Sequence, residues 1–280
     1  MSKASQREKA KRLRDLHTCG KLLILPNVWN PIGARVLEAK GFPAVATASA
    51  AIAESLGYRD GEHLAFDTML DMIGRIARSV EVPVTADIES GYADSVSVLK
   101  DSIRQVMKNG VVGINIEDSL EEGVALRPVE EQCERLHAVR EVSGRMNIHL
   151  VINARVDCYL SDGCGVPEEK LEASIVRARA YSNAGADCVY VIGPNDSNTI
   201  AALRKRIEAP LNILASPGSI SLKELECIGV NRVSFGPFVF RSCLKRFVDI
   251  ASGIGDCDMG WTEDMLSGHE SAEFLSGDAE

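Results

Sequence analysis

Three short segments of the chain each carry carboxylate or guanidinium groups at the end of an apolar run: Asp87 and Glu89 within Ala86–Tyr92, Glu117 within Asn115–Asp118, and Arg155 and Asp157 within Asn153–Asp157. Carboxylates gathered in a low-dielectric mouth repel one another, so they need a cation or raised pKa values. Hard oxygen donors with no His or Cys nearby in sequence favour Mg2+ or Mn2+ over zinc. Mg2+ keeps several waters, so one or two direct ligands backed by further carboxylates suffice. Asp87, Glu89 and Glu117 are therefore a candidate metal cradle. The plainer alternative is that Asp87 and Glu117 cap the helices that follow, or pair with Arg155; three adjacent strand ends favour the cradle. Arg155 has the fork geometry to anchor a substrate carboxylate, or to form an ion pair with Glu117 or Asp157. Ser49 and the amides around Ala48–Ala50 form either a small anion nest or an ordinary tight turn. Trp29 either walls the pocket or packs in the core.

The elements that must position these groups follow one rhythm. Short apolar runs suited to buried parallel strands are Leu22–Pro26, Ala44–Thr47, Val82–Asp87, Gly113–Glu117, Leu150–Arg155, Cys188–Ile192, Leu211–Leu214 and Arg232–Phe235. Between them lie helical periods. In Leu64–Val80, Met69, Ile73, Ile76 and Val80 recur at steps of three and four, with Asp60 as a candidate N-cap. Ser95–Lys108, Glu168–Ala184, Ser197–Ile207 and Pro237–Ile254 follow the same grammar. Gly41, Gly110, Gly185 and Gly229 stand where left-handed helix ends are expected. Eight β-then-α units with no strand suited to antiparallel pairing predict an α/β fold of the (β/α)8 TIM-barrel type, with its site at the C-terminal strand ends. An open doubly wound sheet would favour a glycine-rich phosphate turn after the first strand, and Pro26–Asn30 is not one. Residues 1–280 are expected to form one barrel domain: a helical segment over 1–20, C-terminal helices over 237–266 with Trp261–Leu266 as a short amphipathic piece, and a frayed polar tail over 267–280.

A net charge of −9 argues against nucleic acid or an anionic membrane as partner. It leaves room for an anionic substrate, because a bound divalent cation reverses the local sign. The eight cysteines form no C-x-x-C pair and no N-terminal apolar stretch resembles a signal peptide, so reduced thiols in a cytoplasmic protein are expected. The five histidines lack H-x-x-x-H spacing. No segment approaches the ~20 apolar residues of a membrane span.

Gly41–Ala50 (GFPAVATASA), Leu56–Glu62 (LGYRDGE), Ala86–Tyr92 (ADIESGY), Asn115–Asp118 (NIED) and Asn153–Asp157 (NARVD) together resemble the isocitrate lyase/phosphoenolpyruvate mutase superfamily, in its short, single-domain branch. The likeness runs from about Leu22 to Phe240. It implies that Asp87 binds Mg2+ directly, that Asp60, Glu89 and Glu117 hold it through water, and that Arg155 grips the substrate carboxylate. Asp60, Glu117 and Arg155 are then the catalytic set, with Ser49, Ala50 and Trp29 beside the substrate. It also implies a metal-stabilised enolate formed from a small 2-oxo or 2-hydroxy acid, and a homodimer or homotetramer that exchanges the C-terminal helix.

Three departures bear on the substrate. Glu89 stands where the family has an aspartate, and Ala48 replaces a serine beside the nest. The loop Asp118–Arg127 lacks the K-[KR]-C-G-H of isocitrate and methylisocitrate lyases and the lysine and asparagine of the mutases. Its Glu121 and Glu122 would repel a phosphonate. Carbon–carbon cleavage of the oxaloacetate-decarboxylase kind needs no loop acid, since solvent can protonate the enolate. The alternatives are phosphorus–carbon chemistry (phosphonopyruvate hydrolysis or phosphoryl migration) and a non-catalytic 2-oxo-acid binding protein.

Overall fold

The protein is described by a computed structural model over residues 3–121 and 125–275. In chain order its strands are β1 (Leu23–Leu25), β2 (Asn27–Val28), β3 (Val45–Thr47), β4 (Val84–Asp87), β5 (Gly113–Ile116), β6 (Ser119–Glu121), β7 (Ala125–Leu126), β8 (Val151–Val156), β9 (Cys188–Val191), β10 (Leu211–Leu214) and β11 (Arg232–Ser234). All but β6 and β7 form one parallel sheet in the order β1-β11-β10-β9-β8-β5-β4-β3-β2. β1 and β2 are two halves of one strand. Pro26 between them has no N–H to give to a ladder, so the first half pairs with β11 and the second with β3. The sheet thereby closes as the expected (β/α)8 barrel. Asn27 stitches the seam at the rim: its Nδ2 donates to the Thr47 carbonyl at 2.7 Å, and its Oδ1 accepts from the amides of Phe235 and Gly236 at 2.7 and 2.9 Å.

The helices are α1 (Lys3–Thr18), α2 (Pro31–Ala39), α3 (Ser49–Ser55), α4 (Phe66–Arg78), α5 (Val96–Lys108), α6 (Val129–Met146), α7 (Pro167–Asn183), α8 (Ser197–Arg206), α9 (Leu222–Ile228), α10 (Phe238–Gly255) and α11 (Gly268–Glu273). α4 shows why the helical periods held. Met69, Ile73 and Ile76 are fully buried, each contributing about 1.5–3 kcal/mol. That outweighs the about 0.5–2 kcal/mol forgone where Ala65 caps it without a side-chain hydrogen bond. Gly41, Gly110, Gly185 and Gly229 all have positive φ, as helix ends of that type require.

α1 plugs the bottom of the barrel. Gln6 Nε2 donates to the carbonyls of Met107 and Val111, and Leu13 is wholly buried. A Cβ on Gly113, the first residue of β5, would lie 2.7 Å from Leu13 Cδ2, so glycine there admits the plug. Below the core, His17 Nδ1 donates to the Leu13 carbonyl at 2.8 Å and Nε2 faces Arg232 Nη1 at 3.5 Å. Burial, reinforced by the Arg232 charge, holds the His17 pKa at about 4.

Several expectations are corrected. Asp60 is not the N-cap of α4; Ala65 is, and Asp60 belongs to the loop before it. β6 and β7, both in the connection from β5 to α6, pair antiparallel with Ser119 opposite Leu126. The piece expected at Trp261–Leu266 is a 3-10 turn over Gly260–Asp264. The tail is not frayed throughout: α11 is held by a Ser267/Glu270 capping box, while residues 276–280 lie outside the described residues. All eight cysteines are free thiols. Among the described residues no helix is long and apolar enough to cross a membrane.

Candidate active site at the C-terminal rim

The rim opens into a cavity of about 390 Å3 lined by Asp60, Glu62, Glu89, Glu117, Leu120 and Arg155, among others. That volume is near the small end of the ~300–1,000 Å3 of ligand pockets, which suits a compact acid. Asp87 closes β4, and its Oδ2 accepts from the Ser49 amide at 3.2 Å and the Ser49 hydroxyl at 2.9 Å. Ser49 and Ala50 open α3, and the Ser49 amide serves Asp87. Trp29, just past β2, packs edge-on against Phe240 of α10 with ring centroids 5.1 Å apart.

Arg155, near the end of β8, forms the ion pairs foreseen as alternatives, and forms both. Nη1 holds Glu117, and Nε lies 2.6 Å from Asp157 Oδ1. Asp157 is itself fixed: its Oδ2 accepts from Ser119 Oγ at 2.6 Å and its amide donates to Asp118 Oδ1 at 3.0 Å. Asp118 Oδ2 in turn accepts from Tyr181 Oη at 2.7 Å and Arg177 Nη1 at 3.1 Å. The guanidinium is thus oriented by buried acids whose own positions are set from β6 and α7. Burial, then the Asp157 charge, pushes the Asp118 carboxyl up to about 6.

Glu89 sits in the turn after β4 at φ 53°, with Gly91 at 99° and Tyr92 at 52°. Left-handed non-glycine residues cost about 1–3 kcal/mol each and concentrate at functional sites. Here they turn the 3% exposed Glu89 into the cavity. Tyr92 Oη donates to Glu89 Oε1 at 2.6 Å, and the Glu62 amide donates to Oε2. Burial raises the Glu89 pKa to about 7, against the Tyr92 hydrogen bond and with help from Asp60. Burial likewise holds Glu117 well above the usual carboxylate range, with Arg155 opposing and Asp157, Asp87 and Glu89 adding to it.

Acids that resist ionising in the bare protein form a site in which a divalent cation can replace protons. The donor set is dominated by hard oxygen, as Mg2+ requires. Among the described residues no three His, Cys, Asp or Glu side chains converge tightly enough to chelate an ion together. Asp60, Glu89 and Glu117 bring carboxylate oxygens to the cavity. One expectation needs amending: His63 lines the same cavity, since the loop between α3 and α4 folds over the rim. Residues 122–124 of the Asp118–Arg127 connection, Glu122 included, lie outside the described residues.

Sequence reasoning passed over Glu62, Ser90, Tyr92, Ser119 and Tyr181. Glu62 and Tyr92 stand inside the segments Leu56–Glu62 and Ala86–Tyr92, but the bonds from Glu62 to Ser90, Tyr92 and Glu89 join those two segments only in the folded chain.

A family model for phosphoenolpyruvate phosphomutase matches residues 13–255. An uncharacterised protein of Mycobacterium tuberculosis is 31% identical over 86% of this chain and 88% of its own length. An oxaloacetate decarboxylase of Pseudomonas putida is 27% identical over 88% of this chain and 80% of its own. Among solved structures, a Burkholderia cenocepacia protein named only provisionally as a lyase/mutase superposes with a TM-score of 0.91 at 31% identity, covering 98% of both chains. A phosphonopyruvate hydrolase solved with oxalate and Mg2+ superposes at 0.83 with 23% identity, over 95% of this chain and 94% of its own; at that identity the likeness is one of fold.

Proposed function

Because the chain belongs to the phosphoenolpyruvate phosphomutase family, we propose that it is a Mg2+-dependent lyase cleaving a carbon–carbon bond of a small 2-oxo or 2-hydroxy acid, in the manner of an oxaloacetate decarboxylase. The observation that carries this reading is Arg155, a fork-shaped cation oriented by Asp157 at the mouth of a small acidic cavity. The relative named as an oxaloacetate decarboxylase supports the carbon–carbon assignment.

When bound, Mg2+ supplies Lewis-acid stabilisation of the charge that develops as the bond breaks. The chain's residues do the rest. Asp87 would hold the ion directly, and Asp60, Glu89 and Glu117 would hold it through water. Arg155 exchanges one of its carboxylate partners for the substrate carboxylate, while Asp157 and Ser119 keep the guanidinium in plane. In oxaloacetate the C3–C4 bond breaks, CO2 leaves with C4, and the electron pair stays on the three-carbon enolate. A solvent proton on C3 then gives pyruvate, so no acid on the β6–β7 connection is required.

The same reading includes assembly with a second copy. α10 has no buried residue, and Leu244, Phe247 and Val248 are exposed on it. Beside β1 an apolar groove of about 330 Å3 is lined by Leu16, Leu22, Ile24 and Phe42. An uncovered α10 and an apolar groove beside β1 in one chain are complementary between two copies, which accords with helix exchange.

The test is a panel of oxaloacetate, substituted malates, methylisocitrate and phosphonopyruvate with Mg2+, following pyruvate, glyoxylate and phosphate. Pyruvate from oxaloacetate, lost with EDTA and in Asp87→Ala, is the expected result. Phosphate from phosphonopyruvate would replace this reading with phosphorus–carbon chemistry. Silence across the panel with tight oxalate binding would replace it with a binding protein.

A further inference from the structure

The loop between α3 and α4, residues 57–65, crosses the rim as a strap and carries Asp60, Glu62 and His63 to the cavity. Glu62 joins this strap to the turn after β4 in both directions. Its amide donates to Glu89 Oε2. Its own Oε1 accepts from Ser90 Oγ at 2.7 Å and from the Tyr92 amide at 2.7 Å. Tyr92, placed by that last bond, returns its hydroxyl to Glu89 Oε1 at 2.6 Å. Each carboxylate oxygen of Glu89 is therefore held by a donor whose position depends on Glu62. Both glutamates sit in the left-handed region, at φ 60° and 53°, where a side chain of this size stays only if its surroundings fix it.

We propose that Glu62 is a positioning residue: it presents Glu89 to the metal's water shell and ties closure of the 57–65 strap to metal binding. Its Oε1 is occupied by Ser90 Oγ and the Tyr92 amide. Its action is geometric, through two hydrogen bonds accepted by one oxygen and one donated by its amide. Glutamine keeps an acceptor at that position and keeps the amide, so it should preserve the arrangement. Alanine keeps the amide only; it releases Ser90 and Tyr92, and with them the Glu89 carboxylate. Outer partners of this kind typically change metal affinity by about 10–100-fold.

This inference rests on the metal-dependent reading above, and one experiment separates the two. Mn2+ is titrated into the full chain, wild type, Glu62→Gln and Glu62→Ala, with free Mn2+ followed by electron paramagnetic resonance; circular dichroism checks that each variant is folded. The expected result is a dissociation constant within about threefold of wild type for Glu62→Gln and about 10–100-fold weaker for Glu62→Ala. Tryptic cleavage after Arg59, exposed on the strap, should be slowed by Mn2+ in wild type and Glu62→Gln but not in Glu62→Ala. Equal Mn2+ affinity in Glu62→Ala and wild type would overturn the positioning role alone. Equal weakening in both variants would do the same, since charge rather than geometry would then be at work. A wild-type chain that binds no Mn2+ would overturn the functional reading together with this inference.

Discussion

Arg155 and Asp157, two residues apart at the end of β8, form a part-buried ion pair with Nε 2.6 Å from Oδ1, and Ser119 fixes the opposite oxygen of the same carboxylate. The pair spends one edge of the guanidinium on orientation and leaves the Nη edge, now on Glu117, for a second carboxylate. A lysine at 155 offers a point charge and cannot serve two acids at fixed angles. Arg155→Lys is expected to lower kcat/KM for the active substrate about 100-fold, or about 2.7 kcal/mol at 1.36 kcal/mol per decade. Steady-state kinetics beside a thermal melt checks this; a variant with wild-type kcat/KM would remove Arg155 from the site.

The His17–Arg232 contact under the barrel predicts an acid-sensitive stability. His17 is kept neutral by burial and by the neighbouring guanidinium, with its pKa near 4 in the native protein against about 6.5 unfolded. Above pH 6.5 neither state binds the proton and stability is complete. As pH falls from 6.5 towards 4 the unfolded chain takes up a proton that the native one refuses, so about 3 kcal/mol should be lost over that window. Urea unfolding at pH 7.0 and 5.0 should show a smaller difference in His17→Gln, which keeps a donor and an acceptor but does not titrate. An identical difference in wild type and variant would count against this assignment.

The bare face of α10 predicts an association that a single charge can break. Phe247 is 66% exposed, and burying such a side chain contributes about 1.5–3 kcal/mol per copy. Light scattering after size exclusion should give a dimer or tetramer for wild type and a smaller species for Phe247→Glu. A wild-type monomer at micromolar concentration would refute helix exchange between copies.

Much of the architecture was legible because it is written locally. A buried parallel strand is a short apolar run, and each of the eight runs became a barrel strand, the first, expected to end at Pro26, continuing past it as Asn27–Val28. Met69, Ile73 and Ile76 announce a helix face by spacing alone, and all three are buried. Asp60 was misread as a cap because a carboxylate before a helical period is ambiguous until the loop's path is known. The β6–β7 pair was missed because its strands are three and two residues long, too short to show an alternation.

The chain's own sequence therefore determined the barrel and the set of acids and the arginine carried to its rim, since strand period and strand-end position depend only on near neighbours. Tertiary structure alone decided how those groups engage. Glu62 meets Glu89 across 27 residues and Ser119 meets Asp157 across 38, and His63 reaches the cavity on a strap whose course no local spacing encodes. Left-handed glutamates at 62 and 89 run against backbone preference and persist because distant donors hold them, a condition met only once the barrel has closed.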